Sequence, residues 1–157
     1  MHEILIYNQT RCKVPKKFIE GVILRALNFL KLKQPVELAV LIVDKFEIKR
    51  LNKIWRGTNE TPDELSFGLN SRQTAGLAKG LHTMLSLGEI IINAEKISDK
   101  NYLSKILIQS LLHLLGYSHR RMRNLESKIF PPEADQPRAE KNLEIIPLCG
   151  IPQSGRN

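Results

Sequence analysis

The sequence predicts an α/β domain of the α+β kind, with one mixed four-stranded sheet packed by about four helices. Three observations carry that prediction. Residues Val36 to Val43 read VELAVLIV, a dense apolar run suited to a strand buried at a sheet centre. Leu103, Leu107, Ser110, Leu111 and Leu114 recur at three- and four-residue steps, the period of a helix with one apolar face. Strand-like and helix-like segments follow in the order β-α-β-α-β-β-α-α, which one sheet covered by helices accommodates.

The elements follow in chain order. Glu3 to Tyr7 reads as a first strand, ended by Asn8, Gln9 and Thr10. Pro15 suits the first turn of a helix, and Phe18, Val22, Arg25, Ala26 and Phe29 keep helical spacing up to Pro35. After the central strand, Asp44 stands where a helix N-cap belongs, and the amphipathic run behind it stops before Gly57. Gly57 to Pro62 is a polar loop, and Leu65 to Phe67 a short strand. Ser71 to Leu81 reads as a loop, and Glu89 to Asn93 as the next strand. Ser98 or Asp99 caps the longest helix, expected to run to about Tyr117, with Gly116 supplying the left-handed stop. A last helix is expected from about Arg120 to Ile129. Beyond Phe130 the stretch PPEADQPRAEKN lacks apolar periodicity, so residues 1–130 form the expected domain and 131–157 a flexible tail. Leu143 to Leu148 could dock as a short strand.

Length and charge narrow the function classes. The 157 residues fit one domain with an extension. Twenty-four Lys and Arg against sixteen Asp and Glu leave a net charge of +8, an excess that suits polyanions, although a merely solvated basic surface has the same composition. Two cysteines, Cys12 and Cys149, form no C-x-x-C pair, so a thiolate metal site is not expected and free thiols are. The N-terminus lacks a signal-peptide pattern and no apolar run reaches membrane-spanning length, so a cytoplasmic protein with no membrane partner is expected.

One constellation could carry chemistry. Gln109 and His113 lie four residues apart on the longest helix and so project from one face. Gly116 breaks that helix, and the chain can return His119 toward the pair. Three protein ligands with an open fourth position describe a catalytic zinc site, although glutamine offers a poorer donor than imidazole. Two histidines six residues apart are as readily surface or packing residues when nothing else accompanies them.

Other motifs do accompany them. The stretch Gln109 to His119, QSLLHLLGYSH, resembles the H-G-x-L-H-L-x-G-Y-D-H signature of the YbeY family of bacterial metal-dependent endoribonucleases, which mature ribosomal RNA. His113, Leu114, Gly116, Tyr117 and His119 match. Gln109 stands for the family's first zinc histidine, Ser110 for its glycine and Ser118 for its aspartate. Leu51, Asn52, Arg56 and Gly57 are similar to its L-N-x-x-x-R-G stretch. Asp63, Leu65, Ser66 and Phe67 resemble its T-D-V-L-S-F, with Pro62 and Glu64 in place of threonine and valine. Gly88, Glu89 and Ile90 resemble its G-D-I strand, and Met122, Leu125, Glu126 and Ile129 its closing helix. The resemblance spans roughly residues 1–130.

What the resemblance implies is a zincin-like metal helix and hydrolytic RNA cleavage in ribosomal RNA maturation. Gln109, His113 and His119 would hold one Zn2+ per chain, with His113 and Arg56 in catalytic positions. Arg56, Arg120, Arg121 and Arg123 would hold RNA phosphates, fixing register without reading bases. Single-stranded regions of ribosomal RNA, and the ribosome or its proteins, are the implied partners. A second reading keeps the fold but drops the metal: a non-catalytic RNA- or ribosome-binding factor, for which the missing histidine argues. A zinc peptidase is disfavoured, because Ser110 stands where such enzymes carry a glutamate base.

Overall fold

The computed structural model describes residues 1–68 and 84–130. The expected loop at Ser71 to Leu81, the tail from Pro131 and the expected strand at Leu143 to Leu148 lie outside the described residues.

Four strands form one sheet: β1 (Glu3–Asn8), β2 (Val36–Val43), β3 (Glu64–Gly68) and β4 (Leu85–Asn93), in the spatial order β1-β2-β4-β3. β1 and β4 both run parallel to β2, while β3 runs antiparallel to β4 and forms an edge. The mixed α/β prediction therefore holds, with VELAVLIV as an interior strand. β4 starts earlier than Glu89 because Leu85 pairs with Val36, and an irregularity between Glu37 and Leu38 hides the alternation there. At that point Gly88 has φ +116, and a Cβ would lie 2.0 Å from the Phe67 carbonyl oxygen. Only glycine lets β3 approach β4 this closely.

Helices cover both faces. α1 (Lys16–Phe29), α3 (Lys100–Leu114) and α4 (His119–Ile129) share a large core with the sheet that includes Ile23, Leu27, Val40, Ile90, Leu107 and Leu111. α2 (Lys45–Arg56) packs on the other face, where Val43, Ile48, Leu65 and Ile91 form a smaller cluster. Alternation along β4 explains the division, since Ile90 and Ile92 enter the first core and Ile91 the second. Each fully buried isoleucine contributes roughly 1.5–3 kcal/mol. Among the described residues no helix is long and apolar enough to cross a membrane.

Local chemistry sets the helix ends. Asp44 caps α2, its Oδ1 accepting the Glu47 N–H at 2.8 Å, and Asp99 rather than Ser98 caps α3, accepting the Tyr102 N–H at 3.1 Å. α3 ends at Leu114, sooner than expected, because Gly116 at φ +84 permits a Schellman turn. The Tyr117 N–H reaches the Leu112 carbonyl at 3.1 Å, and the Gly116 N–H reaches that of His113 at 3.0 Å. Ser118 then caps α4, so that His119 opens that helix. Cys12 is buried and disulfide-bonded, against the expectation of free thiols.

Candidate metal and phosphate cleft

The turn at Gly116 folds α4 back beside α3. His113, one turn beyond Gln109 on α3, and His119, at the start of α4, consequently face one cleft of about 470 Å³. Their ring centroids are 6.3 Å apart. Arg56, Glu64, Ser66, Gln109, Ser110, Met122, Arg123 and Glu126 complete the lining. Residues from α2, β3, α3 and α4 thus meet at one point. The half-buried Gln109 and the exposed His113 and His119 leave their polar atoms accessible to solutes.

Arg56 reaches the cleft because its turn is anchored. Asn52, only 3% exposed, donates from Nδ2 to Thr58 Oγ1 at 2.8 Å and to the Glu60 carbonyl at 3.1 Å. Those bonds bind the loop after Gly57 against α2, and Gly57 itself, at φ +71, ends the helix. This gives the L-N-x-x-x-R-G stretch a local logic: the asparagine fixes the turn from which the arginine projects.

Of the four arginines singled out in the sequence, Arg56 and Arg123 line the cleft. Arg121 lies instead over the Tyr117 ring, 5.3 Å from its centroid, beside a separate hollow, and Arg120 is exposed on α4 outside the cleft lining. His2, to which the sequence assigned no role, is structural: its Nδ1 accepts the Val36 N–H at 3.1 Å. His82 lies outside the described residues.

Sequence reasoning missed Glu64. The buried Ser110 hydroxyl donates to Glu64 Oε2 at 2.8 Å, so this carboxylate is held in the cleft wall beside Gln109. The available signal was its departure from the family motif, an acidic residue where an apolar one belongs. Its neighbour Asp63 is turned elsewhere. It accepts the Tyr102 hydroxyl and lies 3.7 Å from Lys96, tying the start of β3 to α3. The hydrogen bond to Asp63 raises the Tyr102 pKa, reinforced by burial and by repulsion from Asp63 and Glu64.

Gln109, His113 and His119 are the residues that could hold a metal. Two imidazoles on one tetrahedral zinc have centroids about 5 Å apart, so a small side-chain rotation would bring these exposed rings to that separation. The third donor is an amide oxygen. No group of three His, Cys, Asp or Glu able to hold a metal occurs among the described residues. The donor set fits zinc in number, with one weak member.

A mixed α/β domain with a histidine cleft between helices α3 and α4, flanked by arginines, is the class that fold and site define. The family model described as Endoribonuclease YbeY matches residues 5–134, and the chain belongs to that family. A protein named endoribonuclease YbeY from Syntrophomonas wolfei is 35% identical over 147 residues, spanning 81% of this chain and 94% of that one. Another of that name, from Thermodesulfovibrio yellowstonii, is 37% identical over 123 residues, 67% of this chain and 73% of its own. A solved structure from Thermotoga maritima aligns with 80% of this chain and 85% of its own, at 24% identity and a TM-score of 0.49, a likeness too loose to add to the assignment.

Proposed function

We propose that this chain is a cytoplasmic, zinc-dependent endoribonuclease that cuts single-stranded stretches of ribosomal RNA in association with the ribosome or its proteins. One observation carries the reading: Gln109, His113 and His119 share a cleft with Arg56 and Arg123. Candidate ligands and phosphate-binding cations therefore address the same space, as hydrolysis of a phosphodiester requires. Membership of an endoribonuclease family and the net charge of +8 support it.

His113, His119 and Gln109 would hold the zinc. When bound, it supplies a water acidified toward neutrality and a positive charge for a phosphoryl oxygen. Arg56, from α2, and Arg123, from α4, would bind the phosphate, orienting the scissile bond and offsetting the charge that develops during attack. Glu64 keeps Oε2 on the Ser110 hydroxyl, which leaves Oε1 to accept a proton from the attacking water. Arg120 and Arg121, outside the cleft, can extend the phosphate contact along α4. Bases splayed from a helix suit a cleft of this size better than a duplex does.

The test is endonucleolytic cleavage of an internally labelled ribosomal RNA fragment by protein purified without chelator. Internal cuts that cease with chelator, return with zinc and are lost in His113→Ala support the reading. RNA binding without cleavage, by protein that takes up no zinc when the metal is supplied, contradicts it and selects the second one, a metal-deficient RNA- or ribosome-binding factor. Gln109 at the first ligand position is the observation that favours that alternative.

A further inference from the structure

Trp55 is the only tryptophan in the chain, and it is 67% exposed. It immediately precedes Arg56, which lines the cleft, and its ring packs against Phe67 with centroids 5.7 Å apart and planes tilted by 57°. Phe67 in turn follows Ser66, another cleft residue. Alternation along β3 puts Glu64 and Ser66 on the cleft side and Leu65 and Phe67 on the α2 side. The aromatic pair therefore lies across the sheet edge from the cleft, with Arg56 leading from one to the other.

A large indole left this exposed gains little from packing, and one tilted partner leaves much of its surface to solvent. Its helix is cationic: α2 reads KFEIKRLNKIWR, five Lys and Arg against one Glu. With Arg50 on Glu47 and Lys45 on Glu95, Lys49, Lys53 and Arg56 make no ion pair among the described residues. A basic surface interrupted by an exposed aromatic ring is what single-stranded nucleic acid uses, phosphates on the cations and a base on the ring. Resting on the endoribonuclease reading, we infer that Trp55, backed by Phe67, is a base-stacking subsite. It would receive the nucleotide next to the phosphate that Arg56 holds, as the RNA strand passes over the β3 edge. Stacking on an indole face makes no demand on base identity, so the subsite selects unpaired RNA without selecting sequence.

The lone tryptophan makes this directly measurable. The whole protein is titrated with a cleavage-resistant 2′-O-methyl phosphorothioate oligoadenylate carrying a fluorescein, and anisotropy and tryptophan emission are followed separately. The expected result is quenching of emission with the same Kd as the anisotropy change, and no quenching by a blunt RNA duplex. Trp55→Ala is expected to bind about 5- to 100-fold more weakly, and Trp55→Phe to recover most of the loss. Normal anisotropy binding with silent emission, or an unchanged Kd in Trp55→Ala, overturns the subsite while leaving the endoribonuclease reading intact. Absence of binding by either signal overturns both.

Discussion

The Ser110 hydroxyl donates to Glu64 Oε2 across 2.8 Å, joining the helix of the histidines to edge strand β3. Both residues stand where the chain departs from its family's motifs, Ser110 for glycine and Glu64 for valine. The two departures meet in one hydrogen bond. Ser110 is 3% exposed, and a hydroxyl so buried needs a partner. Glu64→Val removes that acceptor and is expected to cost about 1–3 kcal/mol. Ser110→Ala leaves a carboxylate that the cleft can solvate, and should cost about 1 kcal/mol or less. In a double-mutant cycle read from urea unfolding, a coupling energy of roughly 0.5–3 kcal/mol is expected; additive losses would show that the contact is incidental.

The catalytic part assigned to Glu64 separates from this structural one. Glu64→Gln keeps an oxygen for Ser110 but cannot take a proton. It is expected to lower kcat for RNA cleavage by about a hundredfold or more, with zinc content unchanged and RNA affinity unchanged or higher. Undiminished turnover would confine Glu64 to supporting Ser110.

Arginines in the cleft should differ from those outside it. For single-stranded RNA, each phosphate neutralised steepens the log–log dependence of affinity on salt by about 0.7. Arg56→Ala and Arg123→Ala should each make the slope shallower by about that amount. Arg121→Ala should change it less, because that guanidinium lies over the Tyr117 ring. Equal slopes for all the variants would remove the cleft from the RNA path.

The Tyr102–Asp63 tie predicts a pH dependence. The hydrogen bond to Asp63 raises the phenol's pKa in the folded chain, so the folded state holds this proton more tightly than the unfolded one. Its contribution is therefore complete below the ordinary tyrosine value of about 10 and is lost as pH climbs through the raised value. Tyr102 is 37% exposed, so Tyr102→Phe should cost no more than about 1 kcal/mol at neutral pH. That difference should shrink as pH rises beyond the ordinary tyrosine range, compared by urea melts at neutral and alkaline pH. A difference independent of pH would mean that the tie contributes nothing.

Local features of the fold could be read from the sequence, while features joining distant segments could not. Asp44 and Asp99 cap helices because a short acidic side chain reaches back to an N–H three residues on, and Gly116 stops α3 through its own left-handed φ. Helix spacing put Gln109 and His113 on one side, and the glycine turn brought His119 to them. The Glu64–Ser110 contact spans 46 positions and depends on how β3 docks under α3, which no local pattern encodes. The arginine run after His119 shows the same limit. Consecutive helix positions point in different directions, so one of the three lines the cleft while its neighbours face elsewhere.

The chain's central question is whether an amide oxygen can complete a two-histidine metal site, and anomalous X-ray scattering at the zinc edge answers it. A crystal grown with added zinc should give one strong peak between His113 and His119 and beside Gln109. A crystal with no peak there, or with zinc only at unrelated surface positions, would contradict the account and leave a metal-free RNA-binding member of the family.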